Sequence, residues 1–193
     1  MTVAWNTALV DQLDWHWSNF VRPHLDGLDD ARYLWEPVPG CWSIRRREDA
    51  TGPFVDGPGD TVLDDQWPPP DPPPVTTIAW RMAHIAIGVF GQRAVDHFGA
   101  DGLTELPREA VDWPITAAGG LALLDHWYGA WITGGRALGD DGLAHPCGPA
   151  AGPYAAEPLA TLVLHVNREA LHHGAEILLL LDLYRHTGGV ALR

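Results

Sequence analysis

Apolar residues recur at the three-to-four-residue spacing of an amphipathic helix over four stretches of the chain, and the spacing vanishes between the first two. The first stretch runs from about Val3 to Pro23, with Leu9, Leu13, Trp17 and Phe20 in phase, Thr2 as a candidate cap, and Pro23 and Asp26-Gly27 as stops. Between Tyr33 and Pro74 the period gives way to Pro39-Gly40, Gly52-Pro53, Gly57-Pro58-Gly59 and the proline run from Trp67 to Pro74. That length exceeds an ordinary connection and predicts a lid or a partly disordered insertion over 35–75, its proline run stiff and extended. A second helix is expected from Thr76 or Thr77 to Phe98, stopped by Gly99. A third is expected between Thr116 and Leu138, with Leu121, Leu124, Trp127, Tyr128 and Trp131 on one face and Gly134-Gly135 weakening its end. The fourth and most regular follows Glu157-Pro158 and runs from Leu159 to about His186, before Gly188-Gly189. No strand alternation stands out. The expectation is an all-α fold: a four-helix bundle in one domain, 1–193, with a long Pro/Gly-rich loop between helices one and two.

Composition narrows the chemistry. The formal charge is -13, and all 12 basic side chains are Arg. A surface this acidic, with no basic cluster, argues against nucleic-acid and anionic-membrane partners, since both need cationic side chains against phosphate. The absence of Lys removes Schiff-base chemistry and Walker-type phosphate binding. Cys41 and Cys147 are too few and too far apart for a disulfide framework or a thiolate zinc site and read as packed thiols. The N-terminus does not resemble a secretory signal, and no segment approaches the roughly 20 apolar residues of a membrane span. A cytoplasmic, soluble protein is the expectation.

The polar residues that interrupt apolar faces carry the remaining signal. At about 100° per residue, Leu162, His165, Glu169, His173, Glu176 and Leu180 share one stripe of the fourth helix. Carboxylates and imidazoles between core leucines need partners, because burying them unpaired costs several kcal/mol. Glu169 and His173 sit one turn apart, within reach of a single cation. On the second helix the stripe Thr77, Trp80, His84, Gly88, Gly91, Val95 is interrupted by one imidazole, which makes His84 the natural third ligand, while Gly88 and Gly91 permit close helix approach. A set of two His and one carboxylate leaves coordination positions open, as catalytic metal sites do. Spacing alone leaves other readings standing: His84 as a hydrogen-bonded core residue, Glu169 paired with Arg81 or Arg168, or Glu169-x-x-His172 as half of a di-iron motif whose second half the chain lacks.

The segments Pro39-Gly-Cys-Trp42-Ser43-Ile44, Thr76-Thr-Ile-Ala-Trp80-Arg-Met-Ala-His84-Ile and His165-Val-Asn-Arg-Glu169-Ala-Leu-His-His173-Gly-Ala-Glu176, in that order, resemble the DinB-like (YfiT-like) superfamily of metal-binding four-helix bundles. Members place one metal-ligand His on the second helix and a His-x-x-x-His pair on the last, which maps onto His84 and onto positions 169 and 173. This chain departs by carrying Glu169, and in that it is similar to the mycothiol-dependent maleylpyruvate isomerase branch, which uses His, Glu and His.

The resemblance implies a divalent metal held by His84, Glu169 and His173, zinc first and nickel or iron as other candidates. It also implies a low-molecular-weight thiol such as mycothiol as cosubstrate, activated for transfer to, or isomerisation of, a small electrophilic substrate. Glu176 and His165 are the expected catalytic auxiliaries, orienting a ligand or shuttling a proton. The resemblance also suggests a homodimer and a seating role for Trp42. Two alternatives stand beside it: a hydrolase using metal-bound water, and a non-catalytic metal- or ligand-binding stress protein.

Overall fold

In the computed structural model, which describes residues 3–50, 52 and 55–192, the chain is mostly helical. Four long helical stretches dominate: α1 (5–24), α2 (78–98), α3 (Ala117–Leu143) and α4 (Leu159–Thr187). The helix α3 packs on α1 and α2, and α4 packs on α1, α2 and α3. The shared core includes Leu13, Trp17, Ile85, Phe90, Leu124, Trp131, Val166 and Ile177. Among the described residues, no helix is long and apolar enough to cross a membrane. The Thr2 cap expected for α1 lies outside the described residues.

Two of the helices contain π-helical turns, Trp17–Val21 in α1 and His84–Gly91 in α2. A π turn inserts a residue and rotates everything after it. That rotation corrects one expected position. Phe20 is 43% exposed, and the core stripe of α1 runs instead through Leu13, Trp17, Val21 and Leu25, four residues apart. The helix α2 is buried nearly all round, as its near-continuous apolar sequence requires. Its Thr77 cap accepts a hydrogen bond from the Trp80 N–H, and Gly99 ends it in the left-handed conformation.

The helix α3 does not weaken at Gly134-Gly135 but runs to Leu143, with a break at Gly139 (φ 64°). Gly134 is there for packing, because a Cβ on it would lie 2.0 Å from the Phe98 ring. Gly91 is similarly tight, since a Cβ at that position would lie 2.9 Å from Trp127, whereas Gly88 faces the His84 ring rather than another helix.

The segment between α1 and α2 holds structure that periodicity did not announce. Strands β1 (Ile44–Arg46), β2 (Val55–Asp56) and β3 (Thr61–Asp64) form an antiparallel sheet in the order β1-β3-β2, with Ile44 opposite Leu63. Strands of this length are too short to show alternation, and Val62, Leu63 and Asp64 are buried in succession. Asp64 fastens the sheet: it accepts from Ser43 N–H at 2.9 Å and from Arg45 Nε at 2.8 Å, while its carbonyl accepts from Trp80 Nε1 at 2.7 Å. Trp42 seats the segment on the start of α2, donating to the Val75 carbonyl and accepting from Thr77 N–H, both at 2.9 Å. The proline run stays at the surface, with Trp67 89% exposed.

Candidate metal centre

The three proposed ligands come together. The candidate donor atoms of His84, Glu169 and His173 all lie within 4.8 Å of one another. Helix α4 supplies Glu169 and His173 one turn apart, and α2, at the first residue of its π segment, supplies His84. The rings of His84 and His173 meet edge to face with centroids 4.7 Å apart, and the far face of His84 stacks on Trp80 at 5.3 Å.

Each donor is oriented by a neighbour. His173 is buried, and its Nδ1 lies 2.7 Å from Glu176 Oε2, a carboxylate that can only accept, so the ring proton sits on Nδ1 and the lone pair on Nε2. Arg81 Nη1 also lies 3.4 Å from that Nδ1, but a protonated Nδ1 cannot accept from it; the bond of Arg81 is to Glu176 Oε2, 2.9 Å from its Nε. His173 Nε2 faces Glu169 Oε2 at 3.4 Å. The other oxygen of Glu169 lies 3.5 Å from Arg168 Nε and 3.7 Å from His165 Nδ1.

The His84 ring has His173 and Trp80 as its aromatic neighbours. Burial, with His173, Arg81 and Arg108 adding to it, pushes its pKa down to about 3, so the ring is neutral at neutral pH and keeps a lone pair.

Among the expected auxiliaries, Glu176 holds His173 and is held by Arg81. His165 stands outside the three-ligand cluster. Its Nδ1 lies 2.7 Å from Arg168 Nη2, and since a guanidinium only donates, the proton of the neutral ring is on Nε2. His165 and Arg168 line a cavity of about 540 Å³, and none of the three ligands is among its described lining residues. On the opposite side Arg81 and Glu176 border an apolar groove of about 450 Å³ along Leu179, Leu180 and Leu183. His172 is exposed and approaches Glu176 Oε1 at 3.3 Å, so it serves the outer face of Glu176 rather than pairing with Glu169. Arg81 was legible only as a possible partner of Glu169; its position three residues before His84 was the signal that it belongs to this face.

The profile described as the DinB superfamily matches residues 60–177, a span that includes His84, Glu169, His173 and Glu176. No curated protein and no solved structure matches the chain.

Proposed function

The chain belongs to the DinB superfamily, and from that premise we propose that it is a metal-dependent enzyme that activates a low-molecular-weight thiol for transfer to, or isomerisation of, a small electrophile. In this reading the four long helices are the four-helix bundle of the family. The observation that carries the proposal is the convergence of three donors around His173, whose Nε2 lone pair is held in place by the Glu176–Arg81 pair behind it.

The donor set suits a divalent cation. The 3.4 Å between His173 Nε2 and Glu169 Oε2 is the separation of two ligands bound at roughly 2.1 Å to a tetrahedral ion. The neutral imidazole of His84 supplies a third donor, and a set of two His and one carboxylate favours zinc, with nickel and iron also accommodated. When bound, such a cation supplies positive charge that stabilises a thiolate at neutral pH.

The protein's own groups do the rest. Glu176 keeps the proton of His173 on Nδ1, which fixes the ring and raises its basicity. Arg81 holds Glu176 in turn, and Arg168 steadies the Glu169 oxygen that faces away from His173. His165, carrying its proton on Nε2, donates rather than abstracts, which refines its expected role as a shuttle.

Elemental analysis of the purified protein, alone and as His84→Ala and Glu169→Gln, tests the site; metal content unchanged in His84→Ala would sink it. A panel of thiols with small electrophiles tests the reaction. Turnover of an ester or amide with no thiol present would favour the hydrolytic reading instead.

A further inference from the structure

The cavity of about 540 Å³ beside the candidate metal centre joins residues that lie far apart in the chain: Arg93 and His97 from α2, Cys147 and Tyr154 from the segment before α4, and Leu162, His165 and Arg168 from α4. Its size is that of a small-molecule site. Its charge is unusual for this protein, since two guanidiniums share one wall in a chain of net charge -13. Arg168 Nη2 lies 2.7 Å from His165 Nδ1, and Arg93 lines the same cavity.

Arg93 is the more telling of the two. Its side chain is 30% exposed, and its ion-pair partner, Asp96 Oδ2, is 4.0 Å away. At that exposure the guanidinium, with five N–H donors and one distant carboxylate, keeps donors open to a further acceptor. Arg168, with its side chain 70% exposed, bonds His165 and faces Glu169 at 3.5 Å, which leaves donors for a ligand. The bond to its Nδ1 leaves the Nε2–H of His165 as a further donor. One carboxylate, Glu157, lies on the wall, at an exposed position.

We propose that this cavity binds a small monocarboxylate with an apolar body, the carboxylate held by Arg93, Arg168 and His165 and the body lying against Ala151, Leu162 and Tyr154. A monoanion fits better than a phosphate dianion, because Glu157 and the acidic surface oppose a second negative charge. The site does not depend on the metal reading, since none of the three metal-ligand candidates lines it.

Isothermal titration of the protein as purified with phenylbutyrate, phenylbutyramide and phenyl phosphate tests the assignment, repeated after chelation. The acid is expected to bind, the amide roughly tenfold or more weakly, as the loss of charge-assisted hydrogen bonds predicts. Arg93→Gln and the more exposed Arg168→Gln are each expected to weaken the acid by a similar factor, and chelation is expected to leave its affinity unchanged. Circular dichroism checks that each variant is folded, and either one suffices if the other is not. Equal affinity for acid and amide, tighter binding of the phosphate, indifference to Arg93→Gln in a folded variant, loss of binding on chelation, or no binding at millimolar acid would each overturn the proposal.

Discussion

His173 Nδ1 and Glu176 Oε2 lie 2.7 Å apart, one turn from each other on α4, with the Arg81 guanidinium from α2 closing on the same carboxylate oxygen. This contact decides which nitrogen of His173 can meet a cation. Glu176→Gln keeps the shape and removes the charge. It is expected to lower metal affinity roughly 10- to 100-fold, as loss of a carboxylate behind a ligand His does elsewhere. Competition with a zinc-binding dye measures it, and affinity equal to the parent would count against an orienting role.

One substitution at two glycines of α3 should act with opposite sign. Gly129 is exposed with nothing within 4 Å of a Cβ, so Gly129→Ala should stabilise by up to about 1 kcal/mol through helix propensity. At Gly134 a Cβ would fall 2.3 Å from Phe98 Cγ, an atom that cannot swing aside. Gly134→Ala should destabilise by about 1–2 kcal/mol and lower Tm by a few degrees despite the same propensity gain. Thermal melts of the two variants decide it.

The sheet between α1 and α2 should hang on Asp64. With its side chain 9% exposed beside Arg45 at 22%, Asp64→Ala leaves the Ser43 N–H and the Arg45 Nε–H without their acceptor, while Arg45 keeps Glu36 and the Cys41 carbonyl. A loss of about 3 kcal/mol is expected. Urea titration checks it, and limited proteolysis should cut first within 44–64.

Burial pushes the pKa of His97 down, aided by Arg93 and opposed by Asp96 and by a hydrogen bond to the Cys147 backbone. The folded state therefore resists a proton that the unfolded chain accepts near pH 6.5. The stability that neutral His97 carries is full above that pH and declines as the pH falls below it. Melts at pH 7.5 and 5.5 should show a smaller difference in His97→Gln than in the parent; an unchanged difference would remove His97 as a source.

What could be read from residues alone follows from what periodicity encodes. Glu169 and His173 are four apart on a regular helix, so their shared face was fixed by spacing, and the Gly99 and Gly188 stops were fixed by backbone freedom. Hydrogen-bond register leaves no mark in an apolar pattern, which is why the π turn that exchanges Phe20 for Val21 was invisible. The sheet was missed because strands β1 to β3 are too short to alternate. The cavity leaves no mark in the sequence because Arg93 and Arg168 come to line one space only after two distant helices have packed, and each alone looks like a solvated charge.

The parallel bridge between Trp42 and Thr76 means that the chain departs from the helical body and returns to it at adjacent points. The described part of the loop between them is held at that base and again where Ile44 and Leu63 enter the core and the Asp64 carbonyl takes the Trp80 indole N–H. A change in the exposed proline run is therefore remote from His84, whereas a change at Leu63 or Asp64 reaches it through the Trp80 ring on which His84 stacks.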